Sequence, residues 1–181
     1  MDVKLLATLK DQDVFSNKKI ETVDKWQLRK TVKIIALNND NQVALVTNPT
    51  HGFYLLPGGG IEDDENIERA ALRECEEEIA YGIDNQIIIG RTKEYRGRDG
   101  KEYDTYCVFA KITKKIDQDK RTDNEKEVGL NVEWFNLDRA SGIFTAQEDK
   151  LKTNQVEFYN TGFNILRDKI FFEHFIKNFS R

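Results

Sequence analysis

Three glutamates, Glu74, Glu77 and Glu78, lie in a segment with helical spacing that follows three consecutive glycines at positions 58–60. Residues three and four apart share one face of a helix, so these carboxylates are expected to project together. Like charges at this spacing cost an isolated helix about 0.2–0.5 kcal/mol per pair. The cluster therefore opposes helix stability and is typical of a site that binds cations.

The chemistry of this cluster favours Mg²⁺ or Mn²⁺ as the cofactor. Its ligands are carboxylate oxygens, and the whole chain has only two histidines and two cysteines, which leaves little for a zinc site. Mg²⁺ and Mn²⁺ prefer oxygen ligands and also bridge phosphate oxygens. The sequence therefore predicts a divalent metal site that can hold phosphate.

The spacing of these residues resembles the signature of the Nudix hydrolase family, which is glycine, five residues, glutamate, seven residues and Arg-Glu-apolar-x-Glu-Glu-x-Gly-apolar. The positions that match it without insertion or deletion are Gly59, Glu65, Arg73, Glu74, Glu77 and Glu78. Residues 56–60 read Leu-Pro-Gly-Gly-Gly, a lead-in that the family often shows. The resemblance covers residues 59–81 and departs at its end, where Ala80 replaces glycine and Gly82 follows.

The resemblance implies a set of metal ligands and two residues that orient them. The ligands are the carbonyl of Gly58 and the carboxylates of Glu74, Glu77, Glu78 and Glu127. Glu74 is either a further ligand or the base that takes a proton from the attacking water. Arg73 is expected to pair with a glutamate, Glu77 first, and Glu65 to support the loop. Metal ions in such a site neutralise a phosphoric anhydride and acidify a bound water.

Glu127 enters this set because the family often adds a carboxylate from a loop beyond the signature. Glu127 lies in a charged run shortly before a predicted strand that carries Trp134, and Glu125 is the second choice. The alternative interpretation of this run is a solvated surface loop.

Candidate substrate-binding residues lie outside the metal cluster. The aromatic residues that could stack on a base or sugar are Phe53, Tyr54, Trp26 and Phe144. Arg96 and Arg98, in or beside a predicted turn, could meet phosphate. The alternatives are packing in the core for the aromatic side chains and solvation at the surface for the arginines.

Strand patterns occupy much of the remaining chain. Runs rich in β-branched and aromatic residues predict strands at residues 3–9, 30–37, 42–47, 53–56, 86–95, 102–112 and 130–137. Turn residues at 38–41 and 97–100 predict two hairpins.

The ends of the signature helix can also be predicted. Asp63 or Asp64 is expected to cap its start. Because alanine adopts a left-handed conformation less readily than glycine, the helix is expected to run past Ala80 and end at Gly82, with Tyr81 in the apolar layer.

The C-terminal part is expected to contain one long helix. Asp138 can cap a short helix, residues 145–153 form a polar loop in this prediction, and residues 156–179 have the apolar spacing of a helix.

Composition bounds the fold and the partners. The 181 residues include 39% hydrophobic residues, enough for one core, and no linker or repeat interrupts them. We therefore expect one α+β domain over residues 1–181, with a short N-terminal extension and a C-terminal helix. The resemblance implies a mixed β-sheet between α-helices. No run approaches the roughly 20 apolar residues of a membrane span, so a cytoplasmic location is expected. We further expect a monomer or homodimer that does not bind nucleic acid.

Three functions are compatible with these residues. The leading one is a metal-dependent hydrolase that cleaves a pyrophosphate linkage in a nucleoside diphosphate derivative or a nucleoside triphosphate. A second is a catalytically silent module that binds nucleotides, although the intact glutamates argue against it. A third is an isoprenyl diphosphate isomerase, for which Cys107 would supply the required cysteine. The sequence leaves the nucleotide unidentified.

Overall fold

A computed structural model describes residues 3–15, 23–47, 52–116 and 130–180 of the chain. The strands in these ranges are β1 (Leu5–Lys10), β2 (Gln27–Leu37), β3 (Gln42–Thr47), β4 (Tyr54–Leu55), β5 (Tyr81–Arg96), β6 (Lys101–Lys115) and β7 (Asn131–Asn136). The helices are α1 (Asp11–Val14), α2 (Ile67–Glu78), α3 (Leu137–Lys152) and α4 (Tyr159–Phe179). The predicted strands are thus confirmed, with differences at their ends.

The strands form one mixed sheet in the order β1-β5-β6-β2-β3-β4, and β7 pairs with β3 outside this path. The pairs β1/β5 and β2/β6 are parallel, whereas β2/β3, β3/β4, β3/β7 and β5/β6 are antiparallel. Both predicted hairpins are present in this sheet. The expected α+β class, a mixed sheet with helices on both faces, is confirmed.

The glycine turn is attached to the sheet along β2. Val32 donates its amide hydrogen to the Gly59 carbonyl at 2.9 Å, and Ile61 donates to the Lys30 carbonyl at 3.1 Å. Backbone bonds of this kind leave few alternative positions for the turn. The turn therefore has a defined place between β2 and the helix that follows it.

Two apolar clusters cover the two faces of the sheet. On one face Val32 and Ile34 of β2 pack with Ala70, Ala71 and Cys75 of α2. On the other face, a second cluster joins the sheet to α3 and α4, and its largest buried side chains include Phe144, Phe171, Phe172 and Phe175. Because successive strand residues point to opposite faces, Thr31 and Lys33 lie on the α4 side of β2. No helix in the described ranges is both long and apolar enough to cross a membrane.

The start of α2 differs from the prediction. The cap is Asn66, whose side chain accepts a hydrogen bond from the Arg69 amide at 2.8 Å. Asp63 and Asp64 precede the helix without capping it, so that prediction is wrong. Asparagine is as effective an N-cap as aspartate, and it lies directly before the first helical residue.

The end of α2 also differs from the prediction. The helix ends at Glu78, and Ala80 adopts a left-handed conformation with φ +59°. Gly82 is already part of β5, so the prediction that the helix runs to Gly82 is wrong. The Ala80 carbonyl accepts a hydrogen bond from the Ile116 amide at 2.8 Å, and Tyr81 pairs with Lys115. Strand pairing therefore begins directly after Ala80 and requires the turn there.

A polar segment of the C-terminal part is helical. Residues 145–153, predicted to form a loop, lie almost entirely in α3, which begins after the cap Asn136 and not after Asp138. Gln147 is buried in this helix, where its side chain accepts a hydrogen bond from the Tyr54 amide and donates one to the Tyr54 carbonyl. Most of the other polar residues in this segment are exposed, so the polar composition reflects the solvent side of a helix, while the buried Gln147 contacts β4.

Candidate active site

Two glycines of the turn are required by close contacts. Gly58 has φ +130°, and a β-carbon there would lie 2.2 Å from the Val32 carbonyl oxygen. A β-carbon on Gly59 would lie 2.6 Å from Oε1 of Glu74. Any side chain at position 59 would therefore displace the Glu74 carboxylate. The glycines allow the backbone of the turn to lie directly against the glutamates of α2.

Arg73 connects the carboxylates of this region. Its Nε donates to Oε1 of Glu65 at 2.8 Å, while Nη1 donates to Glu74 at 2.8 Å and to Glu77 at 3.1 Å. Nη2 donates to the Gly60 carbonyl at 2.8 Å. The expected pair with Glu77 is therefore present as one of several contacts. One guanidinium holds three glutamates and the glycine turn in fixed relative positions.

The electrostatics of the cluster follow from these contacts. The hydrogen bonds between Glu65 and Arg73 lower the pKa of Glu65 and raise the pKa of Arg73. Burial raises the pKa of Glu74, and its pairing with Arg73 opposes that effect. Glu78 accepts a hydrogen bond from the Gly58 amide at 2.6 Å. Arg73 thus contacts three of these four carboxylates, and the fourth, Glu78, is held by the glycine turn.

Lys33 was not predicted to belong to the site. Its ammonium group donates hydrogen bonds to the carbonyls of Leu56, at 3.0 Å, and of Gly58. Burial lowers its pKa, and the charges of Asp168 and Glu78 oppose that effect. The Gly58 carbonyl, predicted to bind metal, accordingly faces a cation of the protein itself. The signal in the sequence is a lysine within the apolar run Val-Lys-Ile-Ile-Ala-Leu of β2.

The site fits a hard divalent ion in its chemistry, but its ligands are engaged with the protein. Within the four described ranges, no three His, Cys, Asp or Glu side chains are grouped to hold a metal ion. Arg73 holds Glu74 and Glu77, and the Gly58 amide holds Glu78. The donors are all oxygens, as Mg²⁺ and Mn²⁺ prefer. Each of these hydrogen bonds uses one carboxylate oxygen of Glu77 or Glu78, so the second oxygen of each can bind an ion while the first keeps its partner.

A cavity of about 670 Å³ opens beside the cluster. Its lining includes Glu65, Arg73 and Glu74 on one side and Arg29 and Lys30 of β2 on the other. Ligand sites usually have volumes of about 300–1,000 Å³, so this cavity is large enough for a nucleotide. It places carboxylates and cations around the same space.

The predicted stacking residues lie elsewhere. Phe144 is fully buried in the core, and Trp26 packs edge-on against Tyr95. Tyr54 donates its hydroxyl hydrogen to Glu133 at 2.8 Å, and that bond raises its pKa. Phe53 packs near Lys150. None of the four lines the cavity beside Arg73.

The two predicted phosphate-binding arginines have different surroundings. Arg96 is buried at the end of β5, where it pairs with Glu94 and its guanidinium lies 4.1 Å from the centre of the Tyr103 ring. Arg98 is exposed and lies 4.1 Å from the centre of the Tyr159 ring. Of these two, Arg96 lines a second cavity, next to Gly58 and Gly59.

The remaining predictions concern the loop carboxylates and the cysteine of the isomerase alternative. Glu125 and Glu127 lie outside the described residues. Cys107 is completely buried in the core, where burial raises the pKa of its thiol. A buried thiol of this kind has no access to a substrate alkene, which argues against the isomerase alternative.

The α+β fold, with a glycine turn followed by a helix that carries several glutamates, is the arrangement expected of an enzyme that acts on phosphoric anhydrides. Comparison with known proteins identifies the family. The family model of the NUDIX domain matches residues 27–160. The chain belongs to the Nudix family. Nudix hydrolases generally use divalent metal ions.

Individual relatives share a limited part of the sequence with this chain. An RNA pyrophosphohydrolase of Wolbachia sp. subsp. Brugia malayi (strain TRS) is 35% identical over 77 residues, which make up 42% of this chain and 45% of that protein. The chain thus spans less than half of this relative's length. A NUDIX hydrolase from Nitrosomonas europaea superposes with a TM-score of 0.53 at 19% identity and covers 73% of this chain and 93% of its own. At this identity the similarity shows the fold alone.

Proposed function

We propose that the protein is a Mg²⁺- or Mn²⁺-dependent hydrolase that cleaves a pyrophosphate linkage in a nucleoside diphosphate derivative or nucleoside triphosphate. The observation that carries this proposal is the set of glutamates held by Arg73 against the glycine turn, at the edge of a 670 Å³ cavity. A single arginine does not neutralise these carboxylates. A divalent cation is the partner that their charge and oxygen chemistry favour.

The roles of the residues follow from their positions. Divalent ions supply charge neutralisation and an acidified water. Glu77, Glu78 and the Gly58 carbonyl would hold them. Glu74, enclosed beside Gly59, would be a further ligand or accept the proton of the water that attacks phosphorus. Arg73 would act as a positioning residue by fixing the orientation of the Glu74 and Glu77 carboxylates.

The requirement for metal can be tested directly. Protein treated with EDTA and then dialysed should not hydrolyse substrate, and added Mg²⁺ or Mn²⁺ should restore turnover. Glu78→Gln should remain inactive after metal is added. Glu68→Gln, an exposed position on the first turn of α2, is the matched control and should retain activity. Full turnover in the presence of excess EDTA would exclude the metal mechanism, and a complete lack of turnover with added metal would favour the silent nucleotide-binding module.

The substrate can be identified by testing hydrolysis of a panel of candidate compounds. The panel contains nucleoside triphosphates, nucleoside diphosphates joined to sugars, and 5′-triphosphorylated RNA oligomers, with identification of the products. RNA is the second candidate, in place of the expected absence of a nucleic-acid partner, because of the similarity to an RNA pyrophosphohydrolase. Preference for RNA over the free nucleotides by at least tenfold in kcat/KM would favour that candidate.

Glu127 is proposed as the additional carboxylate from the loop. Glu127→Gln should then weaken turnover or apparent metal affinity more than Glu125→Gln, its matched control two residues away. Equal and negligible effects of the two substitutions would favour the alternative interpretation, in which this segment is a solvated surface loop. Residues 1–181 are further proposed to form one cytoplasmic domain.

A further inference from the structure

A second cavity, of about 240 Å³, lies on the α4 side of the glycine turn. Its lining includes the backbone of Gly58 and Gly59, and four basic residues from three elements contribute to it. These are Arg29 and Lys33 of β2, Arg96 of β5 and Arg167 of α4. Among the described residues, no acidic side chain is part of this lining. We call it the cationic cavity.

The back of the cationic cavity is built from fixed side chains. Arg96 and Arg167 are each 3% exposed and share the buried carboxylate of Glu94. Arg96 also donates to the side-chain oxygens of Asn160 and Asn164, each at 2.9 Å. These contacts hold the guanidinium groups in place without a ligand. The wall is therefore preorganised, which lowers the entropy cost of binding an anion.

The front of the cationic cavity carries charge that is less well compensated. Arg29 is exposed and has no hydrogen bond or ion pair within the described part of the chain, where its guanidinium lies 6.0 Å from the centre of the Tyr103 ring. The hydrogen bonds of the Lys33 ammonium go to backbone carbonyls and not to a carboxylate. Arg29 and Lys33 thus add positive charge that no direct ion pair cancels.

Arg29 also connects the two cavities. It lines the cationic cavity and the 670 Å³ cavity that contains Arg73 and Glu74. The two cavities meet at the glycine turn, since Gly59 lines the cationic cavity and Gly60 lines the 670 Å³ cavity. A ligand that lies over this turn would contact Arg29 while one part of it reached the α2 carboxylates.

We propose that the cationic cavity binds the terminal phosphoryl group of the substrate, and that the substrates of this protein therefore end in a free phosphate. This inference rests on the proposed hydrolase function, in which the scissile anhydride lies at the α2 carboxylates. At about 240 Å³, the cationic cavity is smaller than typical ligand pockets, which begin at about 300 Å³, so it suits a phosphoryl group better than a nucleoside. The larger cavity takes the nucleoside. Nucleoside triphosphates and 5′-polyphosphate ends have this arrangement, whereas a nucleoside diphosphate joined to a sugar does not.

The binding of phosphate can be measured apart from catalysis. Isothermal titration of the metal-free protein with inorganic pyrophosphate, in EDTA, removes the metal-dependent contribution. Wild-type protein should bind, and Arg29→Ala should bind at least tenfold more weakly. Arg139→Ala is the matched control, because Arg139 is also exposed and lies 5.1 Å from the centre of an aromatic ring, that of Phe135. It should bind like the wild type.

A second variant changes the charge of the wall while keeping its shape. Asn164→Asp retains the oxygen that accepts from Arg96 and Arg167 and adds a negative charge beside the cavity. It should fold and should also bind pyrophosphate at least tenfold more weakly. Failure of wild-type protein to bind pyrophosphate, or unchanged affinity in both Arg29→Ala and Asn164→Asp, would overturn the proposal.

Kinetics then test the substrate class. Asn164→Asp, at a position that lines the cationic cavity but not the larger one, should raise KM at least tenfold for a nucleoside triphosphate and change KM no more than about twofold for a nucleoside diphosphate joined to a sugar. Equal changes for both substrates would overturn the assignment of the terminal phosphate. If no substrate is hydrolysed while pyrophosphate binding still depends on Arg29, the phosphate site remains supported and the hydrolase function fails.

Discussion

Two charge clusters lie on either side of the glycine turn, and they differ in balance and in exposure. The signature cluster contains Arg73, its ion-pair partners Glu65, Glu74 and Glu77, and the neighbouring Glu78. The interior cluster contains Arg96 and Arg167 with Glu94 and Asp168. The Arg73 side chain is 26% exposed, whereas no side chain of the interior cluster exceeds 3%.

The difference separates a charge-balanced cluster from one with excess negative charge. The interior cluster has two cations and two carboxylates, so its charges balance within the fold, and its two arginines form the fixed wall of the cationic cavity. The signature cluster has four carboxylates, of which Arg73 contacts three, and it borders a cavity. The charge of Lys33 also acts on Glu74 and Glu78, so negative charge remains in excess. Excess negative charge next to solvent attracts cations. The same residue types thus stabilise the fold in one place and, in the proposed function, hold a metal ion in the other.

The largest expected effect is on the interior cluster. Glu94→Gln removes the carboxylate that Arg96 and Arg167 share and leaves buried positive charge uncompensated. The free energy of unfolding should fall by about 3–5 kcal/mol in urea titrations. Glu102→Gln, which removes a partly exposed pair with Lys93, should cost less than about 1 kcal/mol. Similar losses for the two variants would contradict the distinction between the clusters.

The same change in the signature cluster should affect activity and not stability. Glu77→Gln removes a proposed metal ligand and relieves repulsion among the carboxylates. Because loss of a residue that merely supports a ligand already costs about 10–100-fold, turnover should fall by more than about 100-fold. The melting temperature of the metal-free protein should stay the same or rise slightly. A variant that kept near wild-type turnover would locate the metal elsewhere.

Arg73 offers an intermediate effect. Arg73→Lys keeps the charge but cannot make the several directed hydrogen bonds that join Glu65, Glu74 and the turn. Metal affinity or turnover should fall by about 10–100-fold, measured by Mn²⁺ titration and by kcat. Arg69→Lys on the exposed side of the same helix should change neither. Full activity of Arg73→Lys would show that positive charge alone suffices.

The smallest expected effect concerns the end of the helix that carries the signature cluster. Ala80→Gly should stabilise the protein by about 0.5–1 kcal/mol, because a left-handed conformation costs an alanine about 1–2 kcal/mol and glycine adds some entropy to the unfolded chain. Turnover should be unchanged. Gly82→Ala is the comparison variant and should destabilise through contact, since its β-carbon would lie 2.7 Å from the Thr113 hydroxyl oxygen. Destabilisation by Ala80→Gly in thermal melts would contradict a left-handed Ala80 and would favour a helix that ends at Gly82.

Several features were predictable because they depend on short stretches of chain. The ion pair of Arg73 with Glu77 follows from their spacing of four residues on a helix. The strand β3 matches its predicted bounds, because the turn residues before it and its alternating apolar pattern are local signals.

Other features were missed because distant strands and helices decide them. Residues 145–153 look polar, yet Gln147 is satisfied inside the fold by the backbone of Tyr54, 93 residues away. Ala80 adopts a costly left-handed conformation because the pairing of β5 with β6 begins at the next residue. In both cases tertiary hydrogen bonds exceed the local preference.

The sequence by itself determined the signature cluster, since the glycine turn, Arg73 and the glutamates lie within 21 consecutive residues, from 58 to 78, where helix geometry alone brings carboxylates onto one face. Only the tertiary structure decided the cationic cavity. Its basic residues come from β2, β5 and α4, and the bond between Arg167 and Glu94 joins positions 73 residues apart. No local periodicity relates such positions, because their proximity arises from the packing of α4 against the sheet.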